Sequence, residues 1–469
     1  MTSEILLLMK FELMVTIILF IILLLRLGKN VMPTSTLLNL VNILLAVNFI
    51  AGFFSNTVGD AFGSMFHSTQ LIHLEKNILN LAVLVISLQS REWLSTHKHI
   101  HEFYVILLAS LSGMFFMISA QNMFMFYLGL ELSTIPLAAL ANFDLAKRKS
   151  GEAAMKFIIS SAFSSGILLF GISLLYGALG TLSYEGIAAT MSGQPLLILA
   201  FVMILAGFAF KMSAVPFHLW TADVYEGAPV AGSAYLSVVS KGAVIFVFFS
   251  VLYTAFEHIF ISWYNFLFLI SVLTMITGNL FALRQNNIKR FLAFSSIAQV
   301  GFILIGITGN SAEGAAATIF FILIYLFSNL GAFGVISLVS AKTGKENISD
   351  YKGFHKTNPL LAWILALSLF SLAGIPPTAG FFGKFFLLMS GAAQNNTALI
   401  VIAALNMIVS LYYYLKVVKA MFMDSNEMAI PKVNTGFQAG LAFAICMAGL
   451  LITGLFGGCY EYIFSIIHL

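Results

Sequence analysis

Of the chain's 469 residues, 60% are apolar and only 9% carry a charge, against about 25% charged in an average soluble domain. That balance, with a mean hydropathy of +0.98, excludes a string of water-soluble domains and leaves a polytopic, all-α integral membrane protein embedded in a lipid bilayer. The net charge of +4 is no sign of a nucleic-acid partner, because short loops account for it, and the two cysteines, Cys446 and Cys459, lack the spacing of a zinc or iron–sulfur site.

A helix needs about 20 mainly apolar residues to cross the hydrocarbon core. In chain order, such stretches predict fourteen transmembrane helices, near 5–26, 34–56, 71–90, 102–119, 121–143, 151–178, 195–220, 228–256, 261–284, 288–309, 314–341, 358–390, 397–423 and 435–458. The first reads as a retained helix, since no small-x-small cleavage site follows its apolar run. No segment between spans is long enough for a soluble catalytic domain. Alternation then places 18 of the 23 basic residues on one face, from Arg26 and Lys29 through Lys147-Arg148-Lys149 to Lys432. Lys10 and Lys76 fall on the other. The positive-inside rule makes the basic face cytoplasmic and both termini external. Lys156 and Lys416, near helix ends, are expected to snorkel.

Three basic residues remain deep in apolar stretches: Lys211, Lys241 and Lys384. Glu131 is the one acidic residue read as comparably deep. A charge at a helix centre costs about 2.5–3.5 kcal/mol on insertion scales, and such residues usually mark an ion or proton path. Desolvation disfavours an ammonium and a nearby carboxylate favours it, so a buried lysine beside a movable charge can take up and return a proton. One acid among three amines is a proton-relay inventory. It fits a cation cage poorly, because that needs several oxygen ligands and no ammonium.

Helix breakers fall at matching places. Span seven contains Lys211, Pro216 and His218, and span twelve contains Gly374, Pro376, Pro377 and Lys384. They lie five spans apart, so helices 4–8 and 9–13 read as two inverted five-helix repeats with broken helices 7 and 12, the arrangement that points to a transport path. The resulting divisions are 1–101, 102–256, 257–423 and 424–469. His97, His99 and His101 alternate in a loop without a further ligand cluster, so no metal is expected. Ser160, Ser161, Ser164 and Ser165 read as close helix packing.

Several stretches are similar to a known family. They are Phe210-Lys211 through His218 to Pro229, Val239-Ser-Lys241-Gly, Asn287 to Ile297, Gly374 to Lys384, and Leu130-Glu131-Leu-Ser-Thr-Ile-Pro136. Together they resemble the antiporter-like membrane subunits of respiratory complex I, within them the subunit N group, over nearly the whole span from about 100 to 425. The resemblance implies a fourteen-helix fold and a relay. Glu131 would be the carboxylate of helix 5, Lys211 its partner on helix 7, Lys241 the central carrier on helix 8 and Lys384 the exit-side lysine on helix 12. A lysine at 384 argues against the M-type subunit, which has a glutamate there. The early end after Gly458 argues against the L-type with its lateral extension. Gln299 departs from the histidine many relatives carry, which replaces a titrating group by one that orders water.

The resemblance further implies a proton-translocating subunit of NADH–quinone oxidoreductase in the bacterial inner membrane, with both termini periplasmic. No redox cofactor would sit on this chain. NADH, FMN, iron–sulfur clusters and quinone would belong to partner subunits, and further antiporter-like subunits would be its membrane neighbours. Two other readings share these residues: a subunit of a multi-subunit sodium/proton antiporter, and a non-transporting assembly scaffold. If Lys384 is a relay, glutamate should replace it better than alanine. If it pins freed carbonyls between Gly374 and Pro377, glutamate should be the worse change.

Overall fold

The computed structural model describes the whole chain except residues 1, 29–31, 55–56, 395, 427–428 and 468–469. Lys29 and the predicted end of the second span at 56 therefore lie outside the described residues. Sixteen principal helices follow in order: α1 (Lys10–Leu27), α2 (Thr34–Ala51), α3 (Gln70–Gln89), α4 (Ile100–Ile118), α5 (Met123–Ala141), α6 (Arg148–Leu179), α7 (Pro195–Met212) and α8 (Leu219–Gly227). After them come α9 (Val230–Thr254), α10 (Phe260–Ala282), α11 (Ile288–Thr308), α12 (Ala312–Thr343), α13 (Pro359–Ala373), α14 (Ala379–Ala392), α15 (Thr397–Phe422) and α16 (Phe437–Leu455). Among the described residues, twelve helices are long and apolar enough to cross a membrane, and α13 and α14 are shorter apolar helices. The chain is a multi-pass helical membrane protein.

Local chemistry sets where the helices start and stop. Thr69, Asn122, Asn287 and Ser311 each accept a first-turn backbone N–H with the side chain, which satisfies donors that a helix start otherwise leaves free. The two longest helices, α6 and α12, both run 32 residues. Each stops at a glycine in the left-handed region, Gly180 at φ 72° and Gly344 at φ 68°. That conformation is cheap for glycine and costly for residues with a Cβ.

The core sits around α9, α11 and α12, which are buried almost throughout, while only a third of the apolar stretch of α2, α10 and α15 is buried, 33% in each. Helices apolar on every side suit such a centre. Two pairs approach backbone to backbone. A Cβ at Gly129 would stand 2.6 Å from the Met117 nitrogen, joining α4 to α5, and one at Gly278 would stand 2.5 Å from the Ala298 nitrogen, joining α10 to α11. Only a missing side chain permits that approach.

The basic residues gather on one face and are netted by acids. Arg290 reaches Asp223 at 2.5 Å and Glu226 at 3.2 Å, Lys156 reaches Asp223 at 2.6 Å, Lys149 reaches Glu226 at 3.0 Å, and Lys289 reaches Glu346 at 3.1 Å. Lys156 thus ends in an ion pair and not merely at an interface. On the opposite face a short hairpin, β1 (Gly59–Ala61) with β2 (Phe66–Ser68), bridges through Phe66 to Ala120, and Asn122 bridges to Ser183.

Candidate functional site

Both predicted breaks are present and share one backbone design. α7 ends at Ser213, φ 66°, and α13 ends at Gly374, φ 83°; three residues beyond each stands a cis prolyl bond, Val215–Pro216 and Pro376–Pro377. The Ala214 N–H bonds the Ala209 carbonyl at 2.7 Å as Ile375 bonds Phe370 at 3.1 Å, and Phe217 bonds Ala214 at 2.8 Å as Thr378 bonds Ile375 at 2.9 Å. The seventh crossing extends further than the sequence suggested. It resumes after His218 and runs as α8 to Gly227, carrying Asp223 and Glu226 into the ion pairs of the basic face.

Breaking a helix in a membrane frees carbonyls that must find donors. At the first break the Phe210 carbonyl accepts the Trp220 indole N–H at 3.1 Å, and the Val215 N–H reaches Thr274 Oγ1 of α10 at 3.0 Å. At the second, the Leu372 carbonyl accepts from Lys384 Nζ at 2.8 Å and from Gln299 Nε2 at 2.8 Å. The Ala373 carbonyl accepts from Lys384 at 3.3 Å.

The three deep lysines are 7%, 2% and 0% exposed for Lys211, Lys241 and Lys384. Lys211 donates to Thr134 Oγ1 at 2.5 Å and Ser161 Oγ at 2.9 Å. Ser161, read from sequence as packing, is therefore one of its partners. Lys241 follows a five-residue π-helical stretch, Leu236–Ser240, and donates to Ser296 Oγ at 2.5 Å. A cavity of about 10 Å³ touches Lys241, Ser296, Gln299 and Tyr325, close to the least space that holds one water. Lys384 also lies 4.7 Å from the centre of the Phe302 ring. Among the described residues, every hydrogen-bond acceptor of these ammonium groups is a neutral hydroxyl or carbonyl.

Glu131 and Lys211 do not form an ion pair among the described residues. Glu131 is half-buried on α5, one turn from Thr134, and its buried Oε1 has no protein partner there. It is Thr134, one turn along α5 from Glu131, that bonds Lys211. Pro216 forms the first break; His218 sits at the start of α8, 9% exposed, with a buried Nδ1 lacking a partner among the described residues. Gln299 carries its amide to Leu372 and to Tyr414 Oη at 3.1 Å, and Tyr414 also bonds Ser295. Along α11, Ser296 and Gln299 are one turn apart, so they link the surroundings of Lys241 to those of Lys384.

The sequence count of buried charges was incomplete. Lys76, counted with the outer face near the end of the third span, lies within α3, is fully buried and pairs with Glu12 at 2.5 Å, and Glu75 is buried beside it. Glu131 is thus one of several deep carboxylates. Of the three alternating histidines, His101 lies in the first turn of α4 and not in a loop, and His97 bonds Asp144 at 2.9 Å.

A helical bundle with two matching breaks and a row of buried lysines defines an antiporter-like membrane subunit. The family model for the membrane region of NADH:quinone oxidoreductase and Mrp antiporter subunits matches residues 120–410. The NADH-quinone oxidoreductase subunit N of Azobacteroides pseudotrichonymphae is 48% identical over 413 residues, covering 87% of this chain and 86% of that one. A chain of the respiratory complex I of Thermus thermophilus, solved with bound aureothin, superposes with a TM-score of 0.82 at 27% identity, over 96% of this chain and 97% of that one. A chain of the Mrp complex of Dietzia sp. shares the fold, with a TM-score of 0.85 at 20% identity over 99% and 96% of the two chains. The chain belongs to this NADH:quinone oxidoreductase and Mrp antiporter family, and among its curated relatives are subunits N.

Proposed function

We propose that the chain is a proton-translocating subunit of an NADH–quinone oxidoreductase, moving protons from a cytoplasmic basic face to the periplasm through Glu131, Lys211, Lys241 and Lys384. On this reading α1 and the broken α13–α14 pair complete fourteen crossings, helices 4–8 and 9–13 are inverted repeats, and both termini are periplasmic. The membrane is the bacterial inner membrane. NADH, FMN, iron–sulfur clusters and quinone belong to partner subunits, including further antiporter-like ones, which deliver energy and no electrons to this chain.

One observation carries the reading: each axis lysine is buried and donates its hydrogen bonds to hydroxyls and carbonyls, with no carboxylate bonded to it among the described residues. A proton can leave such an ammonium without stranding a buried carboxylate, which an ion-paired lysine cannot avoid. The relay would run from Lys211 through the hydroxyls of α5 and α6 to Lys241 and Ser296, then by Gln299 and the Leu372 carbonyl to Lys384. The amide of Gln299 orders this stretch and carries no charge of its own. The test is the number of protons moved per NADH oxidised in reconstituted vesicles for Lys241→Ala, with assembly checked on native gels. A lost yield in intact complex is expected. A normal yield would leave only a scaffold, and a yield that follows sodium would favour the antiporter reading.

A further inference from the structure

α1, α3 and the hairpin hold a second set of charges that the lysine axis does not use. The Lys76 ammonium pairs with Glu12 at 2.5 Å and donates to Ser119 Oγ at 2.7 Å. The rings of Phe66, Phe11 and Phe115 stand 5.0, 5.9 and 5.9 Å from it. Glu75 is also buried, 3% exposed, and has no ion pair among the described residues. The cluster thus holds two buried carboxylates around one buried ammonium, with the less buried Lys10 at its edge over the Phe11 ring at 5.0 Å. A plain clamp between helices needs one of each.

The placement is directional. Leu79 of α3 meets α9 at Gly242, where an added Cβ would stand 3.5 Å from Leu79 Cδ2, and Gly242 follows Lys241. Glu75 lies four residues before Leu79, hence on the same face of α3 and about 6 Å nearer the hairpin side. Beyond it come Lys76 with Glu12, then His73, whose Nε2 bonds Ser68 Oγ at 2.7 Å, then the partly exposed His67–Asp60 pair of the hairpin. Ser119 ties the ends together, because its carbonyl accepts the His67 N–H at 2.8 Å. Glu12 Oε2, His73 Nδ1, Asn77 Oδ1 and Asn80 Nδ2 are buried without a partner among the described residues. Ordered water is what such atoms bond when the protein supplies nothing.

We propose that this cluster is an outward proton-release branch: Lys241 yields a proton to Glu75, and the proton leaves past Lys76–Glu12, His73 and Ser68 to the Asp60–His67 hairpin. Charge is conserved at each step. The ammonium becomes an amine as the carboxylate becomes an acid, and Glu75 regains its charge when the proton passes through water to the His73 imidazole and out. The branch rests on the relay reading and adds an outlet in the first half, separate from Lys384.

The test compares Glu75→Gln, the paired variant Lys76→Met with Glu12→Leu, and Lys241→Ala, each as the complete complex in vesicles. The readout is protons moved per NADH oxidised, with assembly measured separately. Removing both charges together avoids stranding either one, so the paired variant tests the branch with packing kept. Both branch variants are expected to assemble and to lose at least half the proton yield. A wild-type yield in Glu75→Gln beside a lost yield in Lys241→Ala overturns the branch and leaves the axis standing. A wild-type yield in Lys241→Ala overturns the axis itself, and the branch with it. Should the paired variant fail to assemble, Glu75→Gln decides alone, because it is isosteric and breaks no ion pair.

Discussion

Lys384→Glu should destabilise the second helix break far more than Lys384→Met. The ammonium donates to the Leu372 and Ala373 carbonyls at 2.8 and 3.3 Å and faces Phe302 at 4.7 Å. Methionine keeps the side-chain volume and removes the donors. Leu372 retains the Gln299 bond, so only the longer Ala373 bond leaves an acceptor stranded. Side-chain hydrogen bonds in membranes average about 0.6 kcal/mol and reach about 1.7, and a desolvated cation–π contact adds up to about 2. The methionine variant should thus lose about 2–3 kcal/mol. Glutamate loses the same contacts and sets an anion against two carbonyl dipoles in a site with 0% exposure. An unpaired buried charge costs several kcal/mol more. Even protonated, its oxygen stops one bond short of the Nζ position. The assay is the fraction of chain recovered in intact complex and the midpoint of its thermal dissociation. Equal stability of the two variants would refute the pinning contact. Relay function makes the opposite ranking of glutamate against alanine in proton yield per assembled complex, so the two readouts separate holding from carrying.

Ser296→Ala removes the hydroxyl that Lys241 bonds at 2.5 Å; proton yield should fall while quinone reduction and assembly persist, as read in vesicles. Gly129→Val drives a side chain into the α4 backbone at Met117, and overpacking of this kind costs about 1–3 kcal/mol, visible as a lowered dissociation midpoint. Asn279→Leu strands Tyr413 and Asn406, which it bonds at 2.9 Å each, and should loosen α10 from α15 by accelerated hydrogen exchange in both helices. Burial alone would raise the Asp144 carboxyl, but hydrogen bonds from Lys147 and His97 hold it below the ordinary carboxylate range. Its clamp on the 142–147 loop is therefore complete above that range and lost as pH falls through the lowered value, which proteolysis of that loop across an acid series would follow.

The helices were legible because apolar length is a local property. The stretch 288–309 became Ile288–Thr308 and 397–423 became Thr397–Phe422. Pro216, Pro376 and Pro377 gave away the breaks, because proline lacks the N–H that a helix interior needs. Lys76 misled for the same local reason: beside Glu75 it reads as a charged end, whereas its counter-charge, Glu12, lies 64 residues away in sequence. Nothing in composition announces such a pair. The partnership of Asn279 with Asn406, 127 residues apart, was equally invisible. Ser161 and Thr134 escaped because a hydroxyl that accepts from lysine looks, in sequence, like one that packs.

The Leu372 oxygen has two lone pairs and two suitors of unlike character. One bond comes from an ammonium, which can surrender its proton; the other comes from a carboxamide, which cannot do so at any physiological pH. Whatever the protonation state of Lys384, the amide of Gln299 continues to hold α11 against the end of α13. The junction thus has a permanent fastening and a conditional one on the same atom. Once the ammonium becomes an amine it still has N–H groups to donate but no charge, so the conditional bond weakens and the Gly380 N–H to Ser371 Oγ contact at 3.1 Å carries more of the hold on α14.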